Sequence, residues 1–498
     1  MDSEFYYLGS RQILRGEISI PVLWNYLDHP SGLPTPIFSY WMPFSSLLSA
    51  LSMCIFGASF LGSRILLVLL SAGLAPFTYW LSYKICFNRF SSFLAGTLAI
   101  FSGYYLKFLT IPETVLIYMF LGALYFYFFG NLLSNDNKEE NKAREIIGLG
   151  LISGFLHLTR VDGIIFLILG IILLIYDRSK KHNYDKLIFF RDISIFIGSY
   201  LLVMSFWFVT NFHFYQTIFS PASSKAMWIA TYDDTFIYPA SELNLHYWLE
   251  NSISLRPQQI SEALKMNLGT LLGVQMMVFG LPLFILGLKK NNPNLILRIG
   301  IIYYSLIFIF MTVIFPLAGS RGGFLHSAAA IQILIWILMA DGLLMFINWG
   351  IRKRNWQLQR SKKMFGSAFL AIVVVFTLIV YNNDVIGDSF QEIKWSQDYQ
   401  RYQMVEEEIA RTSNDKKEVV MINNPLGYYY STDRWGIVIP NSEVDQFLEV
   451  INKFEVRYIV LDKNLPDKFN QEHILLINEY FDKIQELPAG IRIYAHKN

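Results

Sequence analysis

The sequence predicts a polytopic α-helical membrane protein that ends in a small α/β domain. Of its 498 residues, 53% are hydrophobic and only 16% are charged, whereas about 25% of the residues in a soluble protein are charged. Apolar runs of about 20 residues, the length that crosses a bilayer as a helix, recur along the chain. After residue 382 the composition becomes mixed and charged, which indicates a separate domain.

Ten apolar segments are predicted to span the membrane, at 61–83, 93–108, 112–131, 146–158, 163–176, 190–212, 269–288, 295–317, 324–347 and 364–382. Residues 38–57 are also apolar but contain Pro43 and several serines. We expect a juxtamembrane helix there, with an eleventh span as the alternative, so the chain has 10–11 spans. Cys54 and Cys86 both lie in apolar context, and no disulfide between them is predicted.

Basic residues in the short loops predict the orientation of the spans, because cytoplasmic loops are enriched in Lys and Arg. Alternate loops carry the basic residues Lys84, Arg89, Lys138, Lys142, Arg144, Arg178, Lys180, Lys181, Lys186, Lys289, Lys290, Arg298, Arg352, Lys353, Arg354, Arg360, Lys362 and Lys363. This side is therefore expected to face the cytoplasm. The N-terminal stretch, the loop 213–268 and the tail then lie outside a cytoplasmic membrane.

We expect two domains. Residues 1–382 form a transmembrane module, in which 1–60 are an outer loop with juxtamembrane helices and 213–268 are a large outer loop. Residues 383–498 form an extracytoplasmic α/β domain. Its predicted strands are Val419–Ile422, Gly436–Ile439, Tyr458–Leu461 and Ile491–Tyr494, and its predicted helices are Ser442–Phe454 and Gln471–Glu486.

The first seventeen residues predict a loose amphipathic helix that carries Asp2 and Glu4. The Pro-rich stretch 18–37, which contains Asp28 and His29, predicts an irregular loop.

Charged and polar residues from distant parts of the sequence are expected at the outer membrane level. These are Asp2, Glu4, His29, Glu113 after Pro112, Arg160 and Asp162 in L-H-L-T-R-V-D-G, and Arg321 and His326 in G-S-R-G-G-F-L-H-S. Ionisable groups at the ends of spans are costly, which makes them functional candidates.

Structural roles are the alternatives for these residues. Arg160 and Asp162 can pair with each other, Glu113 can cap the following helix, His157 and His326 can be interior histidines, and Arg321 can contact lipid headgroups.

Carboxylates and arginines at this level suit a reaction on a lipid-borne phosphate. A carboxylate can act as general base towards a hydroxyl, and arginines can hold a phosphate and stabilise the charge that develops on it. The sequence has no G-x-x-x-x-G-K-[ST] and no D-x-D motif. A nucleotide site is therefore not expected, nor is a nucleic-acid partner.

The chain resembles the GT-C superfamily of glycosyltransferases, and most closely the bacterial relatives of dolichyl-phosphate-mannose–protein mannosyltransferases and of the lipid A aminoarabinose transferase. The resemblance is carried by D-S-E-F-Y-Y-L-G-S-R-Q-I-L-R-G-E, H-P-S-G-L-P-T-P-I-F-S-Y-W-M-P, P-E-T-V-L-I-Y-M-F-L-G-A-L-Y, L-T-R-V-D-G, S-R-G-G-F-L-H-S and Y-Y-Y-S-T-D-R-W-G-I-V-I-P, in this order. No W-W-D-x-G motif is present, which argues against an oligosaccharyltransferase.

The resemblance implies inverting transfer of a sugar from a polyprenyl-phosphate donor to an acceptor glycan, lipid or protein. It maps the catalytic base to Asp2, with Glu4 as its neighbour, and assigns substrate binding to Glu113, Arg160, Asp162, Arg321 and His326. No cofactor is required, and His29 is the candidate ligand of an optional divalent metal.

One departure is that family members have a transmembrane helix before the first loop, whereas this sequence starts one residue before Asp2. A transporter or flippase of lipid-linked sugars and an inactive, truncated relative are the alternative functions. The transporter would show charged residues at the bilayer midplane and inverted repeats, and neither is visible in the sequence.

Overall fold

The computed structural model describes residues 2–134, 139–179, 186–291, 294–390 and 393–497, which divide into two compact units. We call Met1–Trp41, Phe208–Pro257 and Ile386–Asn498 the sheet unit, and Met42–Trp207 and Gln258–Val385 the helical unit. Three of the predicted loop cations, Lys138, Lys180 and Lys181, lie outside the described residues.

The described residues form 21 α-helices: α1 (Asp2–Leu14), α2 (Phe44–Phe56), α3 (Phe60–Cys86), α4 (Arg89–Ile100), α5 (Val115–Ser134), α6 (Glu139–Thr159), α7 (Ile164–Ser179), α8 (Lys186–Tyr215), α9 (Pro221–Lys225), α10 (Leu245–Ser252), α11 (Arg256–Gly269), α12 (Leu281–Asn291), α13 (Leu295–Ile309), α14 (Pro316–Ser320), α15 (Gly323–Ser327), α16 (Gln332–Arg354), α17 (Leu358–Tyr381), α18 (Gln397–Ala410), α19 (Pro425–Thr432), α20 (Val444–Lys453) and α21 (Gln471–Tyr480). The strands are β1 (Ser19–Ile20), β2 (Val22–Leu23), β3 (Thr35–Pro36), β4 (Val419–Met421), β5 (Gly436–Ile437), β6 (Val456–Leu461), β7 (Phe481–Leu487) and β8 (Ile491–His496).

Six helices in the described part of the chain are long and apolar enough to cross a membrane. They are Phe60–Cys86, Val115–Leu133, Lys186–Tyr215, Leu295–Ile314, Gly323–Arg354 and Leu358–Ile386. Each of them coincides with a predicted span. The chain is therefore a polytopic α-helical membrane protein, as the sequence predicts.

The other four predicted spans fall on helices that are short, interrupted or charged at one end. Helix α4 has 12 residues and α7 has 16, and at 1.5 Å per residue a 12-residue helix covers about 18 Å of a roughly 30 Å hydrocarbon core. Helix α6 begins with E-E-N-K-A-R-E. The predicted span 269–288 is broken, since Met277 and Val278 adopt positive φ values of 50° and 62° before α12 begins. The apolar helix α2, with 13 residues, lies within the segment 38–57, where a helix is predicted.

The core of the helical unit is built around α16, whose residues from Gln332 to Leu344 are all buried. Helices α12 and α4 pack against it. A Cβ atom on Gly342 would collide with the carbonyl of Leu283, and one on Gly287 would collide with the carbonyl of Leu338. The two backbones of α12 and α16 therefore approach each other closely because glycine faces the partner helix on both sides.

The sheet unit contains a six-stranded sheet with the order β2-β5-β4-β6-β8-β7. Strands β2, β5, β4 and β6 are parallel, and β8 and β7 add an antiparallel hairpin. The four strands predicted in the tail are all present. Strand β2 comes from the stretch 18–37, where an irregular loop is predicted, so that prediction is wrong for the residues of β1, β2 and β3.

The predicted helix Gln471–Glu486 is wrong in its second half, because α21 ends at Tyr480 and Phe481–Leu487 is strand β7. The turn Pro488–Gly490, in which Gly490 has φ 76°, returns the chain into β8. A proline and a glycine with positive φ favour a hairpin turn. Residues 481–487 then pair with β8, from Phe481↔His496 to Leu487↔Ile491, and this pairing stabilises a strand instead of a longer α21.

The fully buried guanidinium of Arg434 ties the sheet unit together. It donates to Glu406 from Nε (3.0 and 3.1 Å) and Nη2 (2.9 Å), and to the carbonyls of Ser413 (2.9 Å) and Asp415 (2.6 Å). Burial opposes ionisation of Glu406, but hydrogen bonds from Arg434, Lys416 and Tyr428 outweigh it and hold the pKa of Glu406 below its ordinary value.

We expect Arg434→Met to lower the free energy of unfolding by about 3–5 kcal/mol, because breaking a buried ion pair leaves an uncompensated charge. Urea titration of the purified full chain in detergent measures this. Arg401 forms an exposed pair with Asp398 at 3.3 Å, so Arg401→Met should cost less than about 1 kcal/mol. Equal losses for the two variants would contradict the structural role of Arg434.

Candidate active site

The segment that precedes α16 holds one part of the candidate site and is irregular. The short helix α15 is followed by a 3-10 turn at Ala328–Ile331. Buried side chains donate hydrogen bonds to its carbonyls: Tyr105 to Leu325 (2.8 Å), Tyr303 to Ser327 (2.8 Å) and Gln275 to Ala328 (3.1 Å). Irregular backbone is tolerated in an apolar surrounding only when such groups are satisfied. These bonds fix the positions of His326 and Ser327.

Glu113 faces His326 inside the helical unit. The carboxylate is only 4% exposed, and its Oε1 lies 3.5 Å from His326 Nδ1. The same oxygen accepts hydrogen bonds from the backbone N–H and the hydroxyl of Thr114, both at 3.0 Å. Because α5 begins at Val115, Glu113 also places its negative charge at the N-terminal end of this helix, which is favourable. Glu113 therefore both stabilises the N-terminal end of α5, the structural alternative considered for it, and contacts His326.

Arg160 and Asp162 pair within the turn between α6 and α7, at 2.9 Å. The pair also reaches Ser327, whose hydroxyl contacts the Asp162 carboxylate and lies 3.5 Å from Arg160 Nη2. The turn is tight, since a Cβ atom on Gly163 would collide with the backbone of Leu156 and His157. The expected alternative, a mutual ion pair, is thus present, and it is joined to the segment that carries His326.

Four of the predicted site residues are brought together in this way. We call Glu113, Arg160, Asp162, His326 and Ser327 the acid–base cluster. Ser327 was not among the predicted residues, and its position directly after His326 in S-R-G-G-F-L-H-S was the only signal for it. The cluster combines two carboxylates, a guanidinium and an imidazole, which can exchange protons and bind an anion.

Two other predicted residues of the helical unit have different surroundings. Arg321 is exposed in the turn between α14 and α15, beside Gly322 with φ 92°. His157 is 2% exposed, and its Nδ1 lies 2.6 Å from the hydroxyl of Tyr200. His157 is therefore an interior histidine with a hydrogen-bond partner, which is the alternative considered for it.

Asp2 and Glu4 lie in the first turn of α1, in the sheet unit. Three contacts hold this helix in place: Phe5 stacks on Trp41 with ring centroids 4.4 Å apart, Tyr7 meets Tyr430 edge to face at 5.5 Å, and Arg11 pairs with Asp433 at 2.8 Å. The predicted N-terminal helix is present. Both carboxylates are partly exposed.

His29 is an exposed residue of the sheet unit with a left-handed backbone, φ 50°. Burial of the ring and the nearby charges of Lys225 and Lys453 lower its pKa. Within the described part of the chain, no group of three potential metal ligands includes His29.

Asp28, beside His29, is a functional candidate within the stretch 18–37, for which the sequence predicts only an irregular loop. Its carboxylate accepts the backbone N–H of Ala222 at 2.6 Å and the hydroxyl of Tyr215 at 3.3 Å. Burial raises its pKa, and these hydrogen bonds offset the rise only in part. The signal for it was an acidic residue within the aromatic and apolar run V-L-W-N-Y-L-D.

We expect Asp28→Asn to become more stable relative to the wild type as pH rises from about 4 to 7. A carboxyl group with a raised pKa binds its proton more tightly in the folded state, so its contribution to stability is greatest below its ordinary pKa and is lost as pH rises. The asparagine does not titrate. Urea titrations at several pH values measure this difference, which is at most about 1.4 kcal/mol per pH unit.

Asp445→Asn, which removes an exposed carboxylate from the same unit, controls for the loss of one negative charge. If the wild type instead became more stable relative to Asp28→Asn as pH rises, the raised pKa of Asp28 would be contradicted.

Solved structures with the same fold cover nearly the whole chain. The archaeal oligosaccharyltransferase AglB from Archaeoglobus fulgidus, in complex with an inhibitory peptide and a dolichol-phosphate, aligns over 100% of this chain and 70% of its own at 14% identity, with a TM-score of 0.52. An Archaeoglobus fulgidus oligosaccharyltransferase complex with Zn and sulfate aligns over 99% and 69% at 14% identity, with a TM-score of 0.57.

ArnT from Cupriavidus metallidurans, bound to undecaprenyl phosphate, aligns over 99% of this chain and 93% of its own at 10% identity, with a TM-score of 0.55. No protein-family model matches the sequence, and no curated protein matches it. The likeness is one of fold. The chain has the fold of the GT-C membrane glycosyltransferases, which confirms the resemblance predicted from its motifs.

Proposed function

We propose that the protein is a membrane glycosyltransferase that moves a sugar from a polyprenyl-phosphate-linked donor to an acceptor glycan, lipid or protein on the outer face of the cytoplasmic membrane. The observation that carries this proposal is the shared fold with two enzymes whose structures hold dolichol-phosphate and undecaprenyl phosphate. The six apolar helices and the acid–base cluster support it.

In the proposed reaction Asp2 is the general base. It removes the proton from the acceptor hydroxyl or amine, whose oxygen or nitrogen attacks the anomeric carbon of the donor sugar. The bond from that carbon to the phosphate oxygen breaks, and the polyprenyl phosphate leaves with the bonding electrons. Attack opposite the leaving group inverts the anomeric centre. The first turn of α1 suits this role because the carboxylate is partly exposed on a helix that is held firmly at Phe5, Tyr7 and Arg11. Glu4 is its neighbour and adds a second negative charge.

Arg160 and Arg321 bind the lipid phosphate in this proposal. The guanidinium of Arg160 is oriented by Asp162 and keeps 21% of its side chain exposed, so it can donate further hydrogen bonds. Charge-assisted bonds from arginine to phosphate are strong and can be bidentate. They stabilise the leaving group as its charge develops.

Glu113 and His326 position the donor or the acceptor. A carboxylate and an imidazole are also ligands that suit zinc, and the solved oligosaccharyltransferase with Zn and sulfate has this fold. Transfer itself requires no cofactor. A divalent metal held by Glu113 and His326 would be an optional addition, and His29 is the weaker candidate ligand because of its exposed position.

We expect Asp2→Asn to lower transfer by a factor of about 10² to 10⁴, the usual contribution of a general base. The assay follows loss of labelled sugar from undecaprenyl-phosphate-linked hexoses, mannose first, in membranes that contain the full chain. Asp445 also lies in the first turn of a helix of the sheet unit, α20, so Asp445→Asn is the matched control. Turnover retained in Asp2→Asn would refute the base, and a wild type without turnover on any hexose would refute the donor class.

We expect Arg160→Gln to weaken the preference of the protein for undecaprenyl phosphate over undecaprenol. A hydrogen bond to a charged group contributes about 1.5–3 kcal/mol, so the affinity for the phosphate should fall by about 10- to 150-fold. Binding is measured on the detergent-purified chain. Undecaprenol controls for a general structural defect. Arg298→Gln, which changes an exposed arginine in the first turn of α13, should keep the preference. If Arg160→Gln weakened the binding of undecaprenyl phosphate and of undecaprenol to the same extent, phosphate binding by Arg160 would be contradicted.

A further inference from the structure

We infer that a cavity inside the sheet unit is a binding site for a pyranose ring. The cavity lies between the start of α1, the stretch 20–41 and the end of α8, and has a volume of about 530 Å³ including the space open to solvent. The acid–base cluster is in the helical unit and contributes none of its lining.

One wall of the cavity is aromatic and rigid. Trp41 is its centre, with ring centroids 4.4 Å from Phe5, 4.4 Å from Trp24 and 5.0 Å from Tyr40. Tyr40 and Trp41 keep part of their surface exposed, whereas Trp24 and Phe5 are buried behind them. Because the four rings hold one another in place, a ligand that stacks on the exposed ring surface orders little of the protein.

The other wall is polar, and one of its groups lacks a partner. Asn25 is 7% exposed, and its Oδ1 accepts the backbone N–H of Leu27 at 3.0 Å. Among the described residues, Nδ2 of Asn25 donates to no other group. Nδ2 is not one of the buried unpartnered atoms, so it is accessible and can donate to a ligand in the cavity. Asp28 and Tyr215 line the same wall and offer a carboxylate and a hydroxyl.

This combination selects the class of ligand. A pyranose presents an apolar face of C–H groups to an aromatic ring and a rim of hydroxyls that both donate and accept hydrogen bonds. A polyprenyl chain would bury Asn25 and Asp28 without satisfying them, which is costly. A phosphate would meet the carboxylate of Asp28, and like charges repel. The sugar matches both walls.

The biological role of this site rests on the proposed function, because a glycosyltransferase must bind an acceptor. A sugar in the cavity would belong to an acceptor glycan, or to a sugar residue near its reacting end. Binding at this site requires no donor, and it is therefore measurable without any transfer reaction.

The test is saturation-transfer NMR on the purified full chain with the methyl α-glycosides of glucose, mannose, galactose and N-acetylglucosamine. The detergent must have no sugar headgroup, since a maltoside would compete for the cavity. We expect at least one glycoside to receive saturation on its ring C–H protons. In Trp41→Leu and in Asn25→Ala its dissociation constant should rise about tenfold, equal to about 1.4 kcal/mol.

Trp395, 45% exposed elsewhere in the sheet unit, supplies the control Trp395→Leu, which should bind like the wild type. Thermal unfolding of each variant checks that it is folded. Asn25→Asp is a second variant that removes the amide donor but retains the oxygen that accepts the N–H of Leu27, so it tests the donor while keeping that contact. No saturation on any glycoside in the wild type overturns the inference, as does equal binding by the wild type and the folded cavity variants. Asp2→Asn should bind the glycoside normally, so an inactive enzyme and an absent sugar site give different results.

Discussion

The helical unit depends on satisfying backbone carbonyls in an apolar interior. A regular helix would satisfy them within itself, but the stretch Gly323–Ile331 is irregular, and its carbonyls accept from Tyr105, Tyr303 and Gln275 instead. Gln275 is held in turn by the hydroxyl of Tyr304 at 2.5 Å and by the amide of Gln332 at 3.1 Å. The 3-10 turn Ala328–Ile331 directly follows His326 and Ser327, and these hydrogen bonds fix their position at the start of the span.

The same reasoning explains why the ionisable groups of this unit occur in sets. Asp341 is fully buried in the middle of α16, and Lys290 and Asn291 at the end of α12 donate to it at 2.9 and 2.7 Å. A buried charge without such partners would be very costly. Asp341 is thus a structural link between α12 and α16. The acid–base cluster differs from it in composition, because it adds an imidazole and a hydroxyl to its carboxylates and guanidinium.

Composition and periodicity were sufficient for the main features of the fold. Long apolar runs identify six spans, and short apolar runs in the tail identify β4, β5, β6 and β8, because both signals reflect burial. Strand β2 could not be predicted, since two residues carry no period and its partner β5 lies more than 400 residues away. The predicted orientation of the spans places Glu113, Arg160, Asp162 and His326 at one membrane level. In the helical unit Glu113 contacts His326, and Arg160 and Asp162 contact the adjacent Ser327. Asp28, Asn25 and Ser327 were missed because single polar residues acquire meaning only from the neighbours that the fold supplies.

Strand β2 has a practical consequence for work on the tail. In this structure β5 is covered on one side by β2 and on the other by β4, with the N–H of Val438 donating to the carbonyl of Leu23 at 2.9 Å. A recombinant fragment cut at the change of composition near residue 383 would lack β2 and would present β5 as a bare edge. Bare edges recruit strands from other molecules. Such a fragment would tend to self-associate, and a linker that fuses residues 17–41 to its start would be the remedy.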